Sequence, residues 1–503
     1  MSLATARAVT RAGAIAGLQI GSVKAFLGIP YAAPPLGDRR WRPPQPVAPW
    51  PGVRQATAPG PSAWQALSRE GFGPWTPEFV VQDAVSEDCL YLNVWAPAVE
   101  QPQPCPVLVW IHGGAFCKGS GSVAIYDGRA LAAPGVVVVT LNYRLGVLGF
   151  LAHPDLTRES PPTGGGNFGL QDQIAALQWV QANIAAFGGD PGAVTIAGQS
   201  AGAMSVHMLV VSPLARGLFH RAIAQSGPPT LVPIKTRAQA EADGLAFAAE
   251  LQQRDVQALR ALSVQELTHT LPPGPRFMPM IDGSLLPAWP PQASPTACAN
   301  AVPMIVGQTA DESSGLDPTF GDEDPAALAA LLQRLHGDQA PALAAAYLQA
   351  AIGQGPAAYR AASSDLWTAA MWHWAEHRAL TEQQPTFAYL FDHVPPGPEA
   401  ARWGAFHTGD VPYMLATLDA APQRGYTDID RSLSAVAAGY WLQFIRTGDP
   451  NGAGLPHWPA LQPATPRWMR LASQPGATAM LSALGWQAVQ QLQRATTLVT
   501  VLP

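Results

Sequence analysis

Ser200 lies in a sequence pattern that could make it a nucleophile. In "AVTIAGQSAGA", residues 193–203, Gly198 and Gly202 flank Ser200 as G-x-S-x-G. An apolar run precedes the motif, and small and apolar residues at helical spacing follow it, which predicts a strand, a sharp turn and a helix. The turn would bring strand and helix too close for a side chain at either glycine. A serine in an ordinary glycine-rich turn is the alternative interpretation.

A serine hydroxyl attacks a carbonyl carbon only when a base takes its proton and an acid orients that base. In a strand–turn–helix elbow, the acid and then the histidine follow the serine along the chain. Asp311 and Glu312 both come directly after a predicted strand, and this reasoning leaves the choice between them open. His407 lies in a loop after the next predicted strand. We favour it over His393, which is too close to that strand's end to reach across the sheet.

The stretch "HGGAF", residues 112–116, could stabilise the negative charge that develops on a carbonyl oxygen under attack. It follows the apolar run "PVLVWI" and is similar to the loops that supply backbone N–H donors to such an oxyanion. Its glycines would let the backbone approach a substrate closely. We expect the N–H groups of Gly114, Ala115 and Ala201 to form an oxyanion hole.

Short apolar runs that end at polar or glycine residues recur along the chain and predict buried strands. A helical pattern, "DQIAALQWVQANIAAFGGDP" at 172–191, separates two of them and ends at paired glycines with a proline beyond. Strands alternating with helices predict an α/β fold with a mostly parallel central sheet covered by helices on both faces. The predicted strands are 106–114, 135–143, 193–200, 221–227, 302–309 and 387–393.

Ala-rich helical stretches interrupt the alternation between about residues 228 and 385. We expect one domain over 1–503, with a helix-rich insert at about 228–385. Because ligands of such folds bind at the carboxyl edge of the sheet, the insert is expected to cover that edge.

The composition excludes several classes of function. The net charge of -6 argues against a positively charged surface that binds nucleic acid. Apolar runs such as 136–141 are far shorter than the ~18 residues of a membrane span, so we expect no membrane association. The amino-terminal segment predicts a hairpin instead of a signal peptide. The four cysteines include no CxxC pair, which favours a reducing compartment, and we expect a cytoplasmic protein.

Several longer motifs resemble one known family. The chain is similar to the type-B carboxylesterases, the cholinesterase-like branch of the α/β-hydrolases, including bacterial p-nitrobenzyl-esterase-like members. The similarity extends from "FLGIPYAAPPLGDRRWRPP" at 26–44 to "YWLQFIRTGDPNGAGLPHWP" at 440–459. The motifs in between, in family order, are "EDCLYLNVWAP" at 87–97, "HGGAF", "GNFGLQDQIAALQWVQANIAAFGGDP" at 166–191 and "GQSAGA".

The resemblance implies a serine esterase that needs no cofactor and acts on small-molecule esters through an acyl-enzyme. It places the family's catalytic Glu on Glu312 and its His on His407. It also implies two structural ion pairs, Arg40 with Glu87 and Arg144 with Asp172. Short to medium acyl esters of bulky or aryl alcohols are the expected substrates. Lipase, amidase, carbamate-cleaving and lactone-opening activities are alternatives.

The chain departs from the family at two positions. Secreted members bridge the cysteine of "EDCLYLN", but no cysteine precedes Cys89 here, so we expect this loop to be unbridged. The residue before the nucleophile, often Glu in the family, is Gln199. The missing negative charge argues against cationic, choline-like substrates.

Two hypotheses compete with the esterase. The first is a binding or adhesion protein, because some family members keep the fold without the catalytic residues. The second is a zinc hydrolase, because "HWAEH" at 373–377 matches H-x-x-E-H. An aromatic helix that packs on its neighbours also explains this pattern, and no third ligand is evident, so we expect no metal. Ser226 could support the triad or be a core serine at a strand end.

Overall fold

The structure is a computed structural model of the 503-residue chain. It describes residues 4–161, 164–229, 234–269, 271–272, 274–289, 299–317, 320, 325–381, 384–482 and 484–487. The strands are β1 (Ala4–Thr10), β2 (Gly13–Ile20), β3 (Val23–Pro30), β4 (Val53–Gln55), β5 (Ser62–Ala63), β6 (Val85–Ser86), β7 (Tyr91–Pro97), β8 (Cys105–Ile111), β9 (Val137–Leu141), β10 (Gly189–Gln199), β11 (Arg221–Gln225), β12 (Lys235–Thr236), β13 (Met280–Ile281), β14 (Met304–Thr309), β15 (Thr386–Phe391), β16 (Arg467–Leu471) and β17 (Gly476–Ala479).

Helices connect many of these strands. They are α1 (Arg129–Ala132), α2 (Gly146–Phe150), α3 (Pro154–Glu159), α4 (Phe168–Asn183), α5 (Ala201–Val211), α6 (Arg237–Glu250), α7 (Val256–Ala261), α8 (Val264–His269), α9 (Pro325–His336), α10 (Ala340–Ala350), α11 (Gly355–Thr381), α12 (Ala400–Trp403), α13 (Val411–Met414) and α14 (Asp428–Thr447). Among the described residues, no helix combines the length and the apolar character needed to cross a membrane.

One large sheet organises the described part of the chain. Its strand order is β1-β2-β3-β7-β9-β8-β10-β11-β14-β15-β16-β17, and β4 pairs with β2. In this order, neighbouring strands from β9 to β16 run parallel and the other neighbours pair antiparallel, while β4 runs parallel to β2. This is the predicted α/β-hydrolase architecture. Parallel strands bring the carboxyl ends of β8, β10, β14 and β15 to one edge.

Side chains of the central strands alternate between two hydrophobic clusters, as the two-residue period of a strand requires. In β8, Val107 and Val109 belong to the cluster that includes α4, α5 and α11. Leu108 and Trp110 belong to the opposite cluster, which includes α14. All four are essentially inaccessible to water. Helices therefore cover both faces, which explains why these strands are continuous apolar runs in the sequence.

The strand and helix predictions agree with the structure to within a few residues. All six predicted strands are present, as β8, β9, β10, β11, β14 and β15. The predicted helix is α4, which continues as a 3-10 turn over Ile184–Phe187 and ends at Gly188 with a φ of 82°. The predicted amino-terminal hairpin is the antiparallel pair β1 and β2.

Helices α6 to α11 lie within residues 228–385. The same range contains β14, which belongs to the large sheet. Trp367 of α11 lines a cavity beside the carboxyl edge of the sheet. The division into one domain with an insert stays a prediction.

The two ion pairs implied by the family resemblance are confirmed. Arg144 donates to Asp172 from Nε at 2.7 Å and from Nη2 at 2.6 Å, and Asp172 also accepts the Arg144 backbone N–H at 3.0 Å. Arg40 donates to Glu87 through two bonds of 2.7 Å. The second pair is also largely buried. Such bidentate hydrogen bonding offsets much of the free-energy cost of removing the two charges from water.

Cys89, Cys105 and Cys117 are free thiols. Cys89 is fully buried, and this burial raises the pKa of its thiol. The prediction that its loop is unbridged is confirmed. Cys298 lies outside the described residues.

Replacing Asp172 with Asn should destabilise the protein strongly. The substitution leaves the Arg144 guanidinium, 3% exposed, without its counter-charge, and we expect a loss of about 3 kcal/mol or more in the free energy of unfolding. The measurement is urea denaturation followed by circular dichroism. Asp419→Asn is the control, because Asp419 is 86% exposed in its pair with Arg431, and we expect less than about 1 kcal/mol. Equal losses would contradict the proposed importance of the buried pair.

Candidate active site

Ser200 stands on the turn between β10 and α5, at the carboxyl edge of the sheet. Its backbone has a φ of 57° and a ψ of −125°, outside the conformations that a serine ordinarily adopts. Its N–H donates to the carbonyl of Gln225 at 2.9 Å. The turn therefore holds Ser200 in a strained conformation at the point where the strand ends and the helix begins.

The glycines around Ser200 permit this turn. A Cβ on Gly198 would lie 2.5 Å from the carbonyl carbon of Gly202, and a Cβ on Gly202 would lie 2.1 Å from the carbonyl oxygen of Ile111. Both obstacles are backbone atoms, which a side-chain rotation cannot move. The glycines are thus required by the close approach of β8, β10 and α5.

His407 and Glu312 are brought together from loops that follow β15 and β14. Nδ1 of His407 lies 2.5 Å from Oε2 of Glu312, and both side chains are nearly inaccessible to water. The other oxygen of Glu312 accepts the N–H of Thr309 at 2.8 Å. The carboxylate is therefore held at both oxygens and faces the imidazole directly.

The two rival residues lie in other environments. Asp311 accepts the backbone N–H of Ala405 at 2.8 Å, so it supports the loop that leads to His407. His393 Nε2 lies 2.7 Å from Oδ1 of Asp430. Neither rival lines the cavities that contain Ser200.

The side chain of Gln199 contacts the other nitrogen of His407. Nε2 of Gln199 lies 3.0 Å from Nε2 of His407. An amide NH₂ can only donate, so this contact assigns the lone pair to Nε2 of His407 and the ring proton to Nδ1. That tautomer donates to Glu312 and leaves Nε2 unprotonated, on a histidine that lines both cavities with Ser200.

The loop after β8 exposes backbone donors near Ser200. Gly114 has a φ of 111° and Ala115 a φ of 53°, and both line a cavity with Ser200. Among the described residues, none accepts a hydrogen bond from either N–H. Ala201, at the amino end of α5, lines the second cavity with Ser200.

His112 supports this loop from beneath. Its ring stacks on Tyr143 at a centroid distance of 4.5 Å. Burial lowers the pKa of His112 to about 4, so the ring is neutral near pH 7. Its Nδ1 lies 2.8 Å from the carbonyl oxygen of Gly113, and we assign the Nδ1–H as the donor. This bond fixes the start of the glycine-rich loop.

A second buried carboxylate, Asp410, lies beneath the pair of His407 and Glu312. Oδ2 of Asp410 accepts from the Tyr389 hydroxyl at 2.6 Å and from the Gln225 amide at 3.1 Å. Burial, reinforced by the charge of Glu312, raises the pKa of Asp410 to about 6, although the hydrogen bonds from Tyr389 and Gln225 act in the opposite direction. The network ties the His407 loop to β11 and β15.

Two cavities meet at Ser200. Cavity A has a volume of about 320 Å³ and cavity B of about 340 Å³. Ser200, His407, Ala115 and Leu316 belong to both walls. The aromatic residues of cavity A are Phe72, Trp75, Phe79 and Tyr126, and those of cavity B are Phe116, Phe150, Phe277 and Trp367.

Sequence reasoning missed the contacts that orient His407. The sequence shows that Gln199 is neutral but not that it bonds to His407, and no sequence pattern indicates a role for Trp75. Trp75 donates from Nε1 to the carbonyl of His407 at 3.1 Å. Asp410 was not considered, although "HTGD" places a carboxylate three residues after His407. Ser226 is buried, has a φ of 54° and lines cavity B.

The H-x-x-E-H pattern lies within α11. The ring of His377 stacks on Trp374 at a centroid distance of 6.2 Å, and burial lowers the pKa of His373. In the part of the chain that the structure describes, no group of three or more His, Cys, Asp or Glu residues could hold a metal ion.

Comparison with known proteins matches the chain to carboxylesterases and related hydrolases. The model of the carboxylesterase family matches residues 4–488. The chain is 36% identical over 479 residues to the fumonisin B1 esterase of Sphingopyxis macrogoltabida, with 90% of this chain and 84% of that protein covered. It is 37% identical over 481 residues to the phenmedipham hydrolase of Pseudarthrobacter oxydans, with 91% and 93% covered.

Solved structures are similar as well. The carboxylesterase Est55 of Geobacillus stearothermophilus superimposes with a TM-score of 0.83 at 34% identity, covering 96% of this chain and all of that chain (100%). A PNB esterase superimposes with a TM-score of 0.81 at 32% identity, covering 96% and 99%.

Replacing Gly202 with Ala should disrupt the turn at Ser200. The new Cβ would lie 2.1 Å from a backbone oxygen, so helix and strand must separate, and we expect a loss of about 3 kcal/mol in the free energy of unfolding. Urea denaturation measures it. Gly476→Ala is the control, because a Cβ there meets nothing within 4 Å, and its effect should stay within about 0.5 kcal/mol. A neutral Gly202 variant would show that the close approach is not required.

Proposed function

Because the chain belongs to the carboxylesterase family and is a carboxylic ester hydrolase, we propose that it hydrolyses small-molecule esters through an acyl-serine intermediate. In this proposal Ser200 is the nucleophile, His407 the general base and Glu312 the acid that orients it. The contact that carries the proposal is the 2.5 Å approach of His407 Nδ1 to Glu312 Oε2, beside a strained serine that shares two cavities with the histidine.

Acylation begins when Ser200 Oγ attacks the ester carbonyl carbon. Nε2 of His407, the unprotonated nitrogen, takes the hydroxyl proton. The Gln199 amide contacts the same nitrogen. The serine hydroxyl must therefore displace the Gln199 hydrogen bond or donate to Nε2 beside it. The imidazolium that forms is stabilised by Glu312, whose buried carboxylate lies against Nδ1–H.

The carbonyl oxygen becomes negatively charged in the tetrahedral intermediate. In the proposed mechanism the N–H groups of Gly114, Ala115 and Ala201 stabilise that charge. Support comes from the position of Gly114 and Ala115 on the wall of cavity A and from their N–H groups, for which the described residues provide no acceptor. The amino end of α5 adds the favourable field of the helix dipole.

Collapse of the intermediate expels the alcohol, which takes the proton from His407. Water then attacks the acyl-enzyme, with His407 again as the base, and releases the acid. Every step uses groups of this chain, and none calls on a cofactor or a metal.

The cavities support a substrate with two halves of modest size, each of which packs against an aromatic-rich wall. Each cavity has a volume near the lower limit of small-molecule sites, and both walls are rich in aromatic rings. Relatives named for fumonisin B1 and phenmedipham match most of the chain. Substrate choice is therefore expected to depend on the walls of the two cavities.

Replacing Ser200 with Ala should abolish ester hydrolysis. Without the hydroxyl no acyl-enzyme forms, and we expect kcat/KM to fall at least about 10³-fold. The assay is hydrolysis of p-nitrophenyl esters across acyl lengths, in the presence of EDTA, with circular dichroism to verify folding. Wild-type turnover that survives EDTA is expected. A folded Ser200→Ala variant with wild-type turnover, or a folded wild type without turnover on any ester, would contradict the proposal.

Replacing Glu312 with Gln should reduce kcat strongly while leaving the fold intact. The amide cannot stabilise the imidazolium of His407, and we expect a loss of about 10³- to 10⁴-fold. Asp311→Asn is a matched control at the adjacent position. An Asn oxygen can still accept the Ala405 N–H that Asp311 accepts, so we expect less than about a tenfold loss. The reverse order of effects would reassign the acid to Asp311.

A further inference from the structure

Lys118 is a charged side chain on the wall of cavity A. The chain contains only three lysines, Lys24, Lys118 and Lys235. Nζ of Lys118 lies 4.1 Å from the centroid of the Phe72 ring. Phe72 in turn packs on Trp75 at a centroid distance of 4.9 Å, and Trp75 on His407 at 6.5 Å. A continuous aromatic surface therefore runs from this ammonium group to the proposed base.

The backbone around Lys118 is fixed next to the oxyanion loop. The N–H of Lys118 donates to the carbonyl of Gly114 at 3.0 Å. Gln65 accepts the N–H of Gly119 at 2.8 Å and donates to its carbonyl at 2.9 Å. A Cβ on Gly114 would lie 3.1 Å from Cγ of Lys118, so the lysine stem packs directly on a proposed oxyanion donor.

No carboxylate neutralises this ammonium among the residues that the structure describes. Cavity A has no Asp or Glu in its described wall. Glu78, on the segment between Trp75 and Phe79, forms an ion pair with Arg424 at 2.6 Å. Glu70 is exposed on the neighbouring loop and makes no ion pair with Lys118.

Cavity B shows the opposite arrangement. Its two cations, Lys235 and Arg276, pair with Asp243 and Glu250, the latter at 2.6 Å. Their charges are therefore compensated within the protein. Lys118 is therefore the one Lys or Arg side chain without an ion pair among the described residues of the two walls.

We propose that cavity A receives a substrate half that carries a carboxylate, and that Lys118 is the residue that selects it. This proposal rests on the proposed serine esterase function and assigns its substrate class: anionic esters. The Lys118 ammonium would donate to the carboxylate at the exposed mouth of the cavity, while the aromatic wall packs against the apolar part. The neutral Gln199 agrees with this preference, because it adds no negative charge beside the nucleophile.

Two pairs of synthetic esters test the proposal, each matched in size and differing in charge. One pair carries the charge on the acyl half, mono-p-nitrophenyl adipate against p-nitrophenyl hexanoate. The other carries it on the leaving half, 4-acetoxybenzoate against 4-acetoxybenzamide. The readout is the ratio of kcat/KM for the charged ester to that for its neutral partner, in the wild type and in Lys118→Met and Lys118→Arg.

In at least one pair we expect Lys118→Met to lower this ratio about two- to fivefold, the range of an exposed ion pair. Lys118→Arg should keep the ratio, and raising NaCl from 20 to 300 mM should lower it in the wild type but not in Lys118→Met. Lys24→Met, a lysine on the wall of a separate surface cavity, is the control and should leave the ratio unchanged. The pair that responds shows which substrate half cavity A receives.

The proposal is overturned if neither ratio changes in Lys118→Met, or if Lys24→Met changes a ratio equally. Hydrolysis of p-nitrophenyl hexanoate and its loss in Ser200→Ala test the esterase mechanism separately. If Ser200→Ala abolishes hydrolysis but Lys118→Met changes neither ratio of kcat/KM, the proposed esterase function stands and the proposed preference for anionic esters is wrong.

Discussion

The site depends on one close backbone contact, the approach of the first turn of α5 to the end of β8. The room between Gly202 and the carbonyl oxygen of Ile111 is too small for a Cβ. This approach places the amino end of α5 at the carboxyl edge of the sheet and leaves Ser200 on a turn with a φ of 57°. A strained backbone conformation persists only when the surrounding packing leaves the residue no alternative conformation. Here the buried strands on both sides of β10 supply that packing.

Buried charges connect the loops at this edge to the sheet. Glu312 is held by His407 and by the N–H of Thr309, and Asp410 by Tyr389 and Gln225. The two carboxylates lie under the same histidine, and each has its own hydrogen-bond donors. Because an unpaired buried charge is costly, this arrangement restricts the loop that carries His407 to one position.

Ion pairs also connect distant segments of the chain farther from Ser200. Arg144 and Asp172 join the segment after β9 to α4, and Arg424 and Glu78 join two segments that are 346 residues apart in the chain. Charge that is paired in this way holds loops in place and is not available to a substrate. The walls of cavities A and B differ in this respect. The cations of cavity B are paired, whereas Lys118 of cavity A has no carboxylate partner in the described part of the chain.

Features that depend on local pattern can be predicted from the amino-acid sequence. Apolar runs and helical spacing predicted six sheet strands, α4 and α5, because strands and helices each repeat over a few residues. The glycines around Ser200 indicated the turn, and the family resemblance selected Glu312 over Asp311 and implied two ion pairs. Contacts between side chains from distant segments become visible only in the folded chain. The contact between Gln199 and His407 joins residues 208 positions apart. The Asp410 network and the position of Lys118 on cavity A likewise depend on side-chain directions between distant segments, which no local pattern encodes.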